Sequence, residues 1–395
     1  MIDNRNFVVS NVDIVTDCQV ITNGSVAVRD GIIVDVNESE CHGAGVIDGR
    51  GATLIPGLID THSDAFEKEI RPRPGVELPI DFALGSFEGR ARAAGITTIF
   101  HGVAFEESDR DDRSIEQALT MCSLVDNWQM RGSATIDHRV LHRLDVRDPA
   151  GLSALTHRLD RCAETDSPLP LVSFEDHTPG QGQYADRTWF ERWVSGTRNV
   201  GLNDARDIVD NIIEHREAFA QHRSTALEAL SRRALNGDIL LMMHDPTDEN
   251  EVIHAHNVGM AIAEFPTTAL AAVAAHEMGM RTVSGGPNAM RGTSHSGNVS
   301  ARELISEGLC DGLASDYLPS TLLGAVHALV GDGVCDIVEG VKLVTAGPAG
   351  TVGLADRGRI ALGCRADLVL VTFDHAMPTV RWVVSQNDLG PKDMQ

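Results

Sequence analysis

Eight short apolar runs, each followed by a stretch long enough for a helix, dominate the middle of this 395-residue chain and restrict its fold more than any other feature. They are Gly57–Asp60, Gly95–Phe100, Ser133–Ile136, Leu169–Phe174, Asp238–Met243, Met260–Phe265, Arg281–Val283 and Gly312–Ser315. Strands that alternate with helices bury both faces of a parallel sheet, and eight such units close it into a (β/α)8 barrel. Ahead of them, Phe7–Val9, Val12–Val15, Ser25–Val28 and Gly31–Val36 read as short strands split by the turns Asn23-Gly24 and Asp30-Gly31. Beyond them, Arg359–Ala361 and Ala366–Val371 offer matching strands. The expected architecture is α/β: a TIM-type barrel over residues 55–348, beside a small β-sandwich domain formed by residues 1–54 and 349–395.

Active sites of such barrels gather at the C-terminal ends of the strands, and here the runs repeatedly end in polar groups. The first gives His62 and Asp64, two apart on an extended strand and so facing one side, where they can grip one metal. The fourth gives Glu175-Asp176-His177 and the fifth His244-Asp245. Helix caps would explain any one of these histidines, but recurrence at matching strand ends favours His177 and His244 as ligands. Neutral imidazole suits zinc first, with manganese or iron as alternatives, in one or two ions. Asp316, after the last run, is placed to take a proton from a metal-activated water and pass it to the leaving group. His101, His138 and His142 also follow apolar runs, and His142 is assigned to the substrate.

Two-metal hydrolases of this architecture often bridge their ions with a carbamylated lysine. The chain has three lysines, Lys68, Lys342 and Lys392, none at an expected strand end. Any bridge must therefore be a carboxylate, with Asp145, Glu175 and Asp176 as candidates and Asp145 assigned to the metal set. Cations that could hold substrate oxygens are Lys68, Arg71 and Arg73 after the first strand, Arg139 and Arg143 after the third, and Arg291 near His295. Solvated surface charge is the plain alternative for each.

A net charge of −24 argues against nucleic acid or an anionic membrane as partner and leaves a small molecule, bound where a metal and local arginines reverse the field. Seven scattered cysteines show no C-x-x-C pair, and the first residues lack the pattern of a signal peptide, so a cytoplasmic location is expected. A homodimer is the expected assembly on general grounds.

The segments Pro56–Asp64, Glu67-Lys68 with Arg71–Val76, Ala94–Thr98, Asp176–Gln181, Ala263–Thr268, Arg291–Ala301 and Ser315–Tyr317 follow one another in an order that resembles the amidohydrolase superfamily. Within it the chain is most similar to the phosphonate-metabolism PhnM family. That resemblance implies a metal-dependent diphosphatase that releases pyrophosphate from ribose 1-methylphosphonate 5-triphosphate. Three strand ends depart from the family pattern. Asp137–Asp145 replaces an H-x-R-x-E run, His101–Glu107 stands where D-A-x-x-x-G is usual, and His244-Asp245-Pro246 replaces H-D-D. Hydrolysis of an amide, cyclic amide or other C–N bond is therefore an alternative. A catalytically silent scaffold barrel is a minor one, disfavoured because the ligand residues are present.

Overall fold

The structure is a computed structural model that describes residues 5–37, 39, 45–108, 112–130, 132, 134–164, 168–294, 297–373 and 377–389. Its strands in chain order are β1 (Phe7–Val15), β2 (Val20–Arg29), β3 (Ile32–Asn37), β4 (Val46–Pro56), β5 (Leu58–Ser63), β6 (Ile96–Phe105) and β7 (Asp137–Asp145). There follow β8 (Leu171–Glu175), β9 (Leu240–His244), β10 (Ile262–Glu264), β11 (Arg281–Gly285), β12 (Gly312–Ala314), β13 (Leu368–Thr372) and β14 (Thr379–Val384).

Strands β5 to β12 lie side by side in sequence order, all parallel. The ring closes where the Asp316 amide donates to the His62 carbonyl and the Asp64 amide donates to that of Asp316. Buried Asp60 adds a lock across the seam, accepting bonds from the Ser315 amide and hydroxyl. Burial pushes that carboxyl up to about 6, against the lowering effect of the Ser315 bonds. Inside the ring, Phe100, Leu141, Leu171, Met242, Ile262, Val283 and Ala314 form one apolar layer, a residue from each of seven strands. This layer is the floor on which the polar mouth rests.

Both chain ends meet in a six-stranded sheet of order β14-β13-β4-β1-β2-β3, separate from the barrel sheet. It has its own core, in which Val9, Val12, Ile14, Val26, Leu54 and Leu368 are fully buried. The two expected strands within residues 7–15 are one, bent by register shifts around Asn11, which takes a left-handed φ of 56°. Arg359–Ala361 is not a strand.

One barrel strand differs from expectation. The third runs over Asp137–Asp145, not Ser133–Ile136, because its polar start is neutralised in place. Asp137 is ringed by Arg139, Arg357 and Arg365, and His138 bonds to His101 and Glu88. Among the described residues Cys18, Cys122, Cys310, Cys335 and Cys364 are free thiols, and no helix is long and apolar enough to cross a membrane.

Candidate metal centre

The C-terminal ends of the barrel strands converge on a cavity of about 250 Å³ whose walls include His62, Asp64, Arg143, His244, Asp245 and Asp316. His62 is buried, and its Nδ1 lies 2.8 Å from Oε1 of Glu264. His244 Nδ1 lies 2.8 Å from the other oxygen, Oε2. The two imidazoles are nearly parallel, with centroids 5.8 Å apart and planes 28° apart. Phe265 packs against both rings and limits their rotation.

Among the described residues, three overlapping sets of donors stand close enough to hold a divalent ion: His62–His244–Glu264, Glu175–His177–His244 and His62–Asp64–Asp316. The sets combine imidazole nitrogen with carboxylate oxygen, the donors that zinc and related ions take. The chain therefore fits a divalent metal. Of the four sequence-selected ligands at the ends of the first, fourth and fifth strands, all fall within these sets. Asp145 does not. Its carboxylate receives both Arg216 Nη atoms, at 2.8 and 3.1 Å. It lines a separate cavity of about 820 Å³ beneath the helix Leu202–Glu217. Asp176 is likewise held by Arg147 and Arg216, which leaves Glu175 as the bridge candidate that lies in a donor set.

Arg143 ties the mouth together. Its Nε and Nη2 fork onto Glu175 at 2.9 and 3.1 Å, while Nη1 reaches Asp64 Oδ1 at 2.7 Å. Burial alone would raise the Glu175 pKa, but Arg143, with help from His244 and His177, outweighs it and brings the group down to about 2. Asp64 is held well below the usual carboxylate range, Arg143 and His62 overcoming its burial. Burial also lowers His177 to about 4, which favours the neutral imidazole a metal needs. Asp316 goes the other way, to about 6, through burial and the neighbouring Asp64 charge.

Some of the molecule's backbone strain lies at this rim. Asp245, Phe265 and Asp316 adopt left-handed φ values of 51°, 53° and 58° at the ends of β9, β10 and β12. Non-glycine residues hold such conformations only where their surroundings enforce them, at a cost of about 1–3 kcal/mol each.

The expected substrate groups are spread more widely. Lys68 stands 4.9 Å above the Tyr317 ring at the mouth, and Arg291 lines the cavity. Arg71 bonds Gln117 and Asp112 away from it. Arg139 pairs with Asp137 and sits over Phe100, on the opposite side of the apolar floor from Arg143. His142 is buried, bonded to the Leu171 carbonyl and tilted against Phe105 in the outer layer. His101 and His138 share that layer, 2.8 Å from one another. His295 lies outside the described residues. Glu264 was missed by sequence reasoning as a site residue. The signal was available: the sixth apolar run, like the first, fourth and fifth, ends in a metal-type side chain.

A curated relative from Escherichia coli strain K12, alpha-D-ribose 1-methylphosphonate 5-triphosphate diphosphatase, is 36% identical over 366 residues. The match covers 92% of this chain and 94% of the relative. The chain belongs to the PhnM family. No protein-family model matches it. Solved structures agree on the fold alone. An amidohydrolase has a TM-score of 0.60 at 14% identity, covering 99% of this chain and 100% of that one. An N-acetylglucosamine-6-phosphate deacetylase of Thermotoga maritima has a TM-score of 0.59 at 17% identity, covering 96% and 98%. This PhnM-family protein is thus a hydrolase of amidohydrolase fold with donor groups for a divalent metal.

Proposed function

We propose that the enzyme releases pyrophosphate from ribose 1-methylphosphonate 5-triphosphate or a close analogue. The observation that carries this reading is the 36% identity to the diphosphatase across nearly the full length of both chains. The proposed catalytic unit is the barrel over 55–348. The proposed ion is zinc, in a cytoplasmic enzyme that works as a homodimer.

In this reading His62, Asp64, His177 and His244 hold the metal. A divalent ion so placed acidifies a bound water and polarises a phosphoryl oxygen. Asp316, buried beside Asp64 and raised to about 6, takes a proton from the attacking water and returns it to the leaving oxygen. Arg143 bridges Asp64 and Glu175 and keeps both ionised, and Lys68 and Arg291 face phosphate charge from the rim.

Asp64→Ala removes a ligand and the partner of Arg143 Nη1. Pyrophosphate release should fall below detection and metal content should drop, while the far-UV circular dichroism stays that of the parent. A fully active Asp64→Ala enzyme would refute the metal assignment.

A further inference from the structure

The arrangement around Glu264 is close to a mirror. On one side the chain of contacts runs from Glu264 Oε1 to His62 Nδ1 at 2.8 Å, then from His62 Nε2 to Asp64 Oδ1 at 3.4 Å. On the other it runs from Glu264 Oε2 to His244 Nδ1 at 2.8 Å, then from His244 Nε2 to Asp245 Oδ2 at 3.4 Å. We propose that Asp245 is a metal ligand, paired with His244 as Asp64 is paired with His62, and that Glu264 is their shared anchor and not itself a ligand.

The separations support these roles. A gap of 3.4 Å is long for a hydrogen bond between imidazole and carboxylate. It is the spacing of two donors on one ion: metal–ligand bonds of about 2.0–2.2 Å meeting at a tetrahedral angle put the ligand atoms roughly 3.4 Å apart. Asp245 Oδ2 is buried without a hydrogen bond, although the residue is only 7% exposed and lines the cavity. Leaving a buried carboxylate oxygen bare costs more than a neutral group does, so a site that keeps one usually supplies a partner. The left-handed backbone at Asp245 turns it back toward the mouth, under a loop that closes on it at Gly182. A Cβ on Gly182 would stand 3.1 Å from that of Asp245.

Glu264 has no such freedom. It is fully buried, each oxygen meets an imidazole Nδ1, and Ser173 donates a further bond to Oε2 at 3.1 Å. A carboxylate that accepts the Nδ1–H of a histidine fixes the tautomer and leaves the lone pair on Nε2. Both rings are thereby committed to present Nε2, one beside Asp64 and one beside Asp245.

This inference rests on the metal-hydrolase reading, but its test involves no substrate, so it can fail while the diphosphatase reading stands, and the reverse. The full chain is loaded with zinc and crystallised, and the ions are located by anomalous scattering at the zinc edge. The expected map places an ion about 2.2 Å from an Asp245 oxygen and from His244 Nε2, with no ion on Glu264. An ion bonded to Glu264, or none bonded to Asp245, would overturn the assignment. In solution, Asp245→Asn should weaken zinc binding at least tenfold in chelator competition, and wild-type affinity in that variant would also overturn it. Glu264→Gln should keep the zinc count and lose affinity by roughly 10–100-fold, the effect of a lost outer partner. A lowered zinc count in Glu264→Gln would make it a ligand. Should either variant fail to fold, the anomalous map of the unaltered protein decides.

Discussion

Asp316 and Glu88 are both buried carboxyls, and their surroundings shift them in opposite directions. Asp316 is raised to about 6 by burial and by Asp64, with no arginine fork of its own. Asp316→Asn removes the proton carrier and keeps an oxygen of similar size. Steady-state kinetics should show kcat reduced by roughly 10²–10⁴-fold, with metal content unchanged. Loss of the metal instead would make Asp316 a ligand before a base. Glu88 accepts bonds from the Trp128 indole at 2.6 Å, the Thr135 amide at 2.8 Å, the Thr135 hydroxyl, and His138 Nε2 at 3.0 Å. Burial raises it, but these bonds outweigh burial and take it from 4.5 to about 2. A carboxyl lowered on folding stabilises above its unfolded pKa and loses that effect as the pH falls through the folded one. Its contribution, on the order of 2 kcal/mol, should therefore fade between about pH 4.5 and 2. Glu88→Gln should flatten that part of the melting-temperature profile relative to the parent, and an unchanged acid slope would argue against it. At this scale the sequence was informative where partners are close along the chain. His62 and Asp64 could be paired by the two-residue period of a strand. Glu264 could not, since its His62 partner is 202 positions away and only barrel closure brings them together.

The elements set which way each side chain faces. Eight apolar runs were enough to count the barrel strands, because apolar length and spacing are local properties. Strand boundaries were harder to read where charges sit inside a strand. In β7, Asp137, His138 and Arg139 look like a loop until Arg357, Arg365 and Glu88 arrive from distant segments to pair with them. Moving the strand by a few residues sent Arg139 below the floor and His142 into the outer layer, and left Arg143 at the mouth. The helices Arg187–Arg198, Leu202–Glu217 and Ala220–Leu235 between β8 and β9 supply Arg216, which captures Asp145. No pattern near Asp145 announces that partner. Strand β6 contributes by what it lacks. A Cβ on Gly102 would fall 2.5 Å from Asp64 Oδ1 and 2.9 Å from Arg143 Cδ. Gly102→Val should push the Asp64–Arg143 pair aside and weaken metal binding by tenfold or more while the barrel still folds. Isothermal titration with zinc checks this, and an unaltered affinity would show that the mouth has more slack than these distances allow.

At the scale of the whole molecule, an acidic chain of net charge −24 is proposed to act on a polyanionic substrate. The opposition is resolved locally: Arg143 bridges Asp64 and Glu175, and these two stand with Glu264 and Asp316 among the donors for a divalent ion. Divalent ions bound there would invert the field, as bound cations do in other acidic sites. The sheet built from both chain ends has its own core and supplies none of the metal-donor residues found among the described residues. The C-terminal rim of the barrel is proposed to hydrolyse a phosphoanhydride. The most direct measurement is phosphorus NMR of the zinc-loaded enzyme with ribose 1-methylphosphonate 5-triphosphate. One pyrophosphate should appear for each triphosphate consumed, with release abolished by a chelator and restored by zinc. An unchanged spectrum from a folded, metal-loaded sample would contradict it and redirect attention to C–N substrates.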